Sequence, residues 1–134
     1  MSSNSSIIPI DPGILQLIHG SFGKDGHLQP FAREIMLIEC HIAGTTHVPI
    51  KDIEPDLKAD DTLVLKRELD NKHDPLAILI IDTKGRKLGY VPKLKNEALA
   101  RLMDAGKLLF AKLVRKEWKS DWLFMEAKVY LRDL

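Results

Sequence analysis

The junction between Leu76-Ala77-Ile78-Leu79-Ile80-Ile81 and Asp82-Thr83-Lys84-Gly85 constrains this chain more than any other feature. An apolar run this short, bounded by Pro75 and a polar turn, reads as a strand. Gly85 is free to take φ > 0 and close a hairpin. Lys87-Leu88-Gly89-Tyr90-Val91 then reads as the returning strand, stopped by Pro92. Residues 35–42 form another apolar run, ending at Ala43-Gly44, and residues 62–68 a further one. Two more strands are predicted over 108–116 and 122–131, with Trp118-Lys119-Ser120-Asp121 turning between them. Residues 45–58 form a polar connection with Pro49 and Pro55 and room for one helical turn near Ile53. Leu94, Ala98, Leu102 and Ala105 recur at spacings of three or four, joined by Leu99 and Met103, and Gly106 supplies a C-terminal stop. About six short strands with one or two helices predict a mostly β (α+β) domain, an OB-like or SH3-like barrel.

The 134 residues suit one domain with a real core. Residues 1–33 stand apart as an N-terminal arm: a serine-rich start, expected to be partly disordered, then a stretch broken by Pro and Gly. Asp11-Pro12-Gly13 offers an N-cap and a first-turn proline for a short helix there. The domain proper is placed at 34–134. No apolar run is long enough to cross a bilayer, and the start lacks the basic and apolar regions of a signal peptide. Cys40 is the only cysteine, which excludes an internal disulfide and fits a reducing compartment. The expected location is the cytoplasm. Net charge is +1, but residues 1–83 carry 7 Lys/Arg against 13 Asp/Glu, and residues 84–134 carry 13 against 6. A basic C-terminal part can mark a surface for a polyanion. Equally, the two parts can interleave in one fold so that their fields cancel.

Two stretches carry a family resemblance. Arg67-Glu68-Leu69-Asp70-Asn71-Lys72-His73-Asp74-Pro75-Leu76-Ala77-Ile78 and, after the hairpin, Leu88-Gly89-Tyr90-Val91-Pro92 resemble the signatures of the HIRAN family. The helix with Glu97-Ala98-Leu99-Ala100 and Met103-Asp104-Ala105-Gly106 matches as well. The resemblance spans roughly residues 34–130. It implies a barrel related to the OB-fold that captures the 3′ end of single-stranded DNA in repair ATPases. There an aromatic stacks on a terminal base and an aspartate bonds the terminal sugar hydroxyl. This chain has no Walker A pattern, so motor activity would require a partner such as a helicase or nuclease. His73 stands where the family often has Tyr, and His41-Ile42 replace its aromatic pair at the end of the first strand.

Asn71, His73 and Asp74 sit on a short loop between apolar strands, a common place for binding residues. An imidazole can stack on a base, and a carboxylate accepts from a sugar hydroxyl but repels phosphate, a combination that suits a strand terminus. Asn and Asp in such a loop can equally bond their own backbone. Arg67 can reach phosphate or pair with Glu68 or Asp70. Tyr90 is a groove wall or a core aromatic. Lys93, Lys95, Arg115, Lys116 and Lys119 are candidate phosphate contacts. Trp118 and Trp122 bracket the last turn; Trp118 is expected outside, free to stack on a base, and Trp122 inside.

Cys40, His41 and His47 are close in sequence, but Cys40 and His41 point to opposite faces of a strand and lack zinc-site spacing. No metal or cofactor is expected, and no catalytic constellation is identifiable. The leading expectation is a nucleic-acid-binding module for single-stranded DNA with a free 3′ end. The alternatives are a protein-interaction module docking onto a repair or restriction machine, and a small hydrolase.

Overall fold

The structure, a computed structural model, describes residues 33–133; the N-terminal arm, apart from Arg33, lies outside the described residues. The chain divides into two compact units. One is Met1–Ile35 with Arg132–Leu134; in its described part Arg33 donates to Asp133 at 2.9 Å and Arg132 to Glu34 at 3.4 Å. The other is Met36–Leu131.

Six strands form one antiparallel sheet: β1 (Arg33–His41), β2 (Thr62–Arg67), β3 (Ile78–Ile81), β4 (Lys87–Tyr90), β5 (Leu108–Lys119) and β6 (Trp122–Asp133). Their order is β1-β6-β5-β2-β3-β4. Register pairs Leu65 with Ile80 and Leu63 with Ala111. The period-2 pattern is plain on β2 and β6, where Leu63, Leu65, Leu123, Met125, Ala127 and Val129 are buried and their neighbours are not. On β3 burial runs through Ile78, Leu79 and Ile80.

The sheet curls into an OB-like half-barrel, and backbone pairing beyond β1 closes it. Ala43 and Tyr90 exchange two N–H···O bonds of 2.8 Å, and Ile42 N–H donates to Met125 at 2.9 Å. Gly89 permits this approach. A Cβ there would overlap the Ala43 carbonyl oxygen and lie 2.8 Å from Ile42 Cγ2. Between β1 and β2 the chain makes a 3-10 turn (Thr45–His47), helix α1 (Ile50–Ile53) and a second 3-10 turn (Glu54–Asp56). Ile50, Ile53 and Leu57 bring this connection into the core. Asp82 accepts from the Lys84 and Arg86 backbone N–H groups and from Arg86 Nε, which fixes the β3–β4 hairpin with Gly85 at φ 85°.

Four readings of the sequence are corrected. Helix α2 is Asn96–Asp104, not 94–105; Leu94 sits in the preceding 3-10 turn (Lys93–Lys95) and is 99% exposed. The inward face of α2 is therefore Asn96, Leu99 and Ala100, with Leu102 and Met103 packed against the core, while Leu94 and Ala98 of the expected stripe lie outside it. Its end does follow the expected stop: Lys107 N–H bonds Leu102 and Gly106 N–H bonds Met103, with Gly106 at φ 90°. Strand β3 starts at Ile78, because Ala77 N–H turns back to the Asp74 carbonyl. β5 continues through Lys119, leaving Ser120-Asp121 as the turn, with Ser120 at φ 58°. Trp122 is not inside: at 38% it is as exposed as Trp118 at 39%.

Candidate functional site

The β2–β3 loop is built by Asn71. Its Oδ1 accepts from the His73 and Asp74 backbone N–H groups at 2.8 and 2.9 Å, the local turn chemistry open to asparagine. Its Nδ2 donates to Glu68 Oε1 at 2.7 Å, and the Tyr90 hydroxyl donates to the same oxygen at 2.7 Å. These two donors, Tyr90 first, hold the Glu68 carboxyl below its ordinary value. The same hydrogen bond to Glu68, with burial second, pushes the Tyr90 hydroxyl up to about 12. Tyr90, at the end of β4, is thereby locked to the loop and remains neutral.

Asp74 is held on both oxygens. Oδ1 accepts from Leu76 N–H at 2.9 Å and Oδ2 from Asn96 Nδ2 at 2.8 Å. Asn96 is 2% exposed and opens α2, so the helix orients the loop carboxylate. A carboxylate oxygen has two acceptor positions, so each retains one beyond these bonds. Sequence reasoning missed Asn96, because an asparagine at a helix start passes for an ordinary cap.

Tyr90, Asn71, His73, Asp74 and Lys93 line one groove of about 420 Å³. Its apolar surface includes Ala43, Val48, Ala77 and Val91, and His47, Gly44 and Lys87 complete it. Lys87 Nζ lies 5.9 Å from the Tyr90 ring centre. The volume is in the range of pockets that enclose a small ligand. Lys87 was not singled out from the sequence, and His47 was weighed there only as a metal ligand; His47 reaches the groove because the backbone pairing of Ala43 with Tyr90 folds its turn against β4. The surface is mostly apolar with a few polar groups, and His47, His73, Lys87 and Lys93 are all exposed.

The remaining candidates lie elsewhere. Arg67 makes a two-point contact with Asp104 at 2.9 and 3.2 Å and donates to the Ala77 and Pro75 carbonyls at 2.7 and 3.1 Å. Its side chain is 11% exposed, and its partner is Asp104 rather than Glu68 or Asp70. It staples the end of β2 to α2 and to the loop. Lys116 is half-buried and bonds both the Glu54 carboxylate at 2.6 Å and the Glu54 carbonyl at 2.7 Å, tying β5 to the α1 connection. Lys95 donates to the Glu39 carbonyl at 3.4 Å. Lys119 and Trp118 are exposed at the tip of the β5–β6 hairpin. Cys40 is buried and His41 exposed, as strand alternation requires, and burial raises the Cys40 thiol. Among the described residues no group of three or more His, Cys, Asp or Glu is placed to hold a metal ion. No helix among them is long and apolar enough to cross a membrane.

The HIRAN domain family model matches residues 35–132. A crystallised protein from Lactobacillus plantarum shares the fold with a TM-score of 0.72 and 23% identity, over 78% of this chain and 100% of that one. The HIRAN domain of human HLTF superposes with a TM-score of 0.58 and 16% identity, over 74% of this chain and 78% of that one. No curated protein matches the sequence. HIRAN domains are known for binding nucleic acid. With the family match covering most of the chain and the half-barrel in place, this chain belongs to the HIRAN domain family.

Proposed function

We propose that this chain binds single-stranded DNA at a free 3′ end, in the groove lined by His73, Asp74, Tyr90 and Lys93, in a DNA repair or processing context. The observation that carries the reading is the convergence of loop and strand signatures, distant in sequence, on one groove. His73 is exposed and can stack on a terminal base. Asp74 keeps acceptor capacity for a sugar hydroxyl while its orientation is fixed by Asn96 and Leu76. A carboxylate at that point disfavours a phosphate and so selects an end over an internal nucleotide. Lys87 and Lys93 can meet the preceding phosphates.

On this reading the protein acts in the cytoplasm by binding rather than catalysis, delivering an end to a helicase or nuclease partner. A titration of the full chain with oligonucleotides ending in 3′-hydroxyl and 3′-phosphate tests it. Tighter binding of the hydroxyl end is expected; equal affinity for both removes end capture. A protein-docking role is the second reading, favoured by Leu69 and Leu94, which are 74% and 99% exposed.

A further inference from the structure

We propose that the groove reads a terminal ribose, the two spare acceptor positions of Asp74 taking the 2′- and 3′-hydroxyls of the last nucleotide together. A strand ending in a ribonucleotide then binds more tightly than one ending in a deoxyribonucleotide. The proposal rests on the groove reading above and names the sugar that the same site selects.

Asp74 lines the groove with its carboxylate fixed at both oxygens. Leu76 N–H holds Oδ1 at 2.9 Å, and Asn96 Nδ2 holds Oδ2 at 2.8 Å. With both oxygens tied, the side chain cannot turn one of them away, and each keeps one acceptor position. Both donors are neutral amides, and among the described residues no cation pairs with this carboxylate, so the protein leaves its charge uncancelled. Neighbouring groups are occupied elsewhere. The Tyr90 hydroxyl donates to Glu68 at 2.7 Å, and Asn71 Nδ2 donates to the same oxygen at 2.7 Å. The two open positions on Asp74 therefore fall to the ligand or to water.

A deoxyribose end brings one donor, its 3′-hydroxyl, to these two positions. The second stays with water or is stripped of it, and a charged acceptor stripped without replacement is destabilising. A ribose end brings two donors on adjacent carbons, side by side as the carboxylate oxygens are. An acidic side chain on a ribose hydroxyl is the arrangement that dinucleotide-binding folds use. The 2′-hydroxyl is also the group by which a protein tells RNA from DNA. Three of the lining residues, Ala43, Gly44 and Ala77, are too small to bar an extra oxygen. An RNA strand supplies the diol, and so does a DNA strand closed by one ribonucleotide; the chemistry at Asp74 is the same.

The full chain is titrated with one DNA strand of about eight nucleotides, a length that barrels of this kind cover. The strand is made with four 3′-terminal sugars: ribose, 2′-deoxyribose, 2′-fluoro-2′-deoxyribose and 2′,3′-dideoxyribose. The ribose end is expected to bind about tenfold more tightly than the deoxyribose end, for one further hydrogen bond to a charged acceptor, and the dideoxy end most weakly. The fluoro end keeps the ring pucker of ribose without the donor, so it should bind like the deoxyribose end. In Asp74→Ala the ribose and deoxyribose ends should bind alike; if that variant melts early, the fluoro comparison on the wild-type chain carries the test. An all-RNA strand with the same last nucleotide assigns the source. It should match the ribose-ended DNA if RNA ends are the ligand, and fall below it if the ligand is DNA closed by one ribonucleotide; the diol stands in either case. Ribose and deoxyribose ends of equal affinity, both tighter than the dideoxy end, overturn the diol and leave the groove reading standing. A fluoro end as tight as ribose, or a ribose advantage that survives Asp74→Ala, overturns it as well. Equal affinity for all four ends removes the diol and the groove reading together.

Discussion

At the scale of single residues, the site is defined by what holds each polar group. Asp74 has two donors and spare acceptor capacity. Asp74→Ala is expected to cost 3′-hydroxyl binding about tenfold or more, the value of a hydrogen bond to a charged acceptor, and to erase discrimination against a 3′-phosphate. Asn96→Ala should reproduce part of this without touching the ligand. If Asp74 only stabilises its loop, the same substitution lowers the melting temperature and leaves end preference unchanged, so both are measured on one variant. Tyr90 and Glu68 give a pH signature. Glu68 is depressed in the folded state, so its contribution is present above the unfolded value near 4.5 and is lost as pH falls through the folded one. Tyr90 is raised, so its contribution is complete below its ordinary value of 10 and is lost as pH rises through about 12. Tyr90→Phe is expected to cost about 0.5–1 kcal/mol at neutral pH, less than a bond to a charged group usually contributes, because the pair is partly solvated. Denaturant melts of both proteins should converge below pH 4.5 as Glu68 protonates in wild type. A gap that persists there would point to packing rather than the hydrogen bond. The loop residues of this cluster were legible from the sequence because Asn71, His73 and Asp74 are local to one turn. The donor from α2 was not, since it comes from 22 residues away.

At the scale of elements, closure of the barrel depends on one backbone contact. β4 reaches the residues after β1 only because position 89 has no side chain. Gly89→Ala is expected to destabilise the fold by more than about 3 kcal/mol, or to prevent folding, because the obstruction is backbone and cannot rotate away. Gly85→Ala, with open space around its Cβ but φ at 85°, should cost only about 1 kcal/mol. Chemical denaturation of the pair checks the contrast; equal, small losses would mean the sheet can open at the Ala43–Tyr90 bridge. The sequence marked Gly85 as a turn residue, while Gly89 stood there only as a member of the returning strand. A turn glycine is visible from its neighbours in the chain, whereas crowding at Gly89 comes from residues 42 and 43, which fold against it from another strand. The length of β5 was underestimated for a similar reason. Trp118 and Lys119 look like turn residues in the sequence until cross-strand pairing carries the strand through Lys119.

At the scale of the molecule, charge is redistributed by folding. The basic part of the sequence, beyond residue 83, is partly neutralised by acids from before it: Arg86 and Lys84 by Asp56, and Lys116 by Glu54. Lys87, Lys93 and Lys119 form no ion pair among the described residues. DNA binding should therefore weaken with salt, and replacing Lys87 and Lys93 together should lower the slope of log affinity against log salt by on the order of 1. Lys116→Ala should leave that slope alone and cost stability, about 1 kcal/mol, since its salt bridge is half-buried. An unchanged slope in the double variant would move the phosphate path away from the groove. The sequence by itself determined the strands, the β3–β4 hairpin, the stop at Gly106 and the Asn71–Asp74 loop, because apolar period, turn chemistry and capping are local properties of the chain. Only the tertiary structure decided which cations stay free. Arg67 turns to Asp104 and Lys116 to Glu54, while His47 and Lys87 enter the groove and Trp122 stays outside. A long charged side chain takes its partner from whatever the sheet brings beside it, and that neighbour is set by strand order and closure rather than by sequence position.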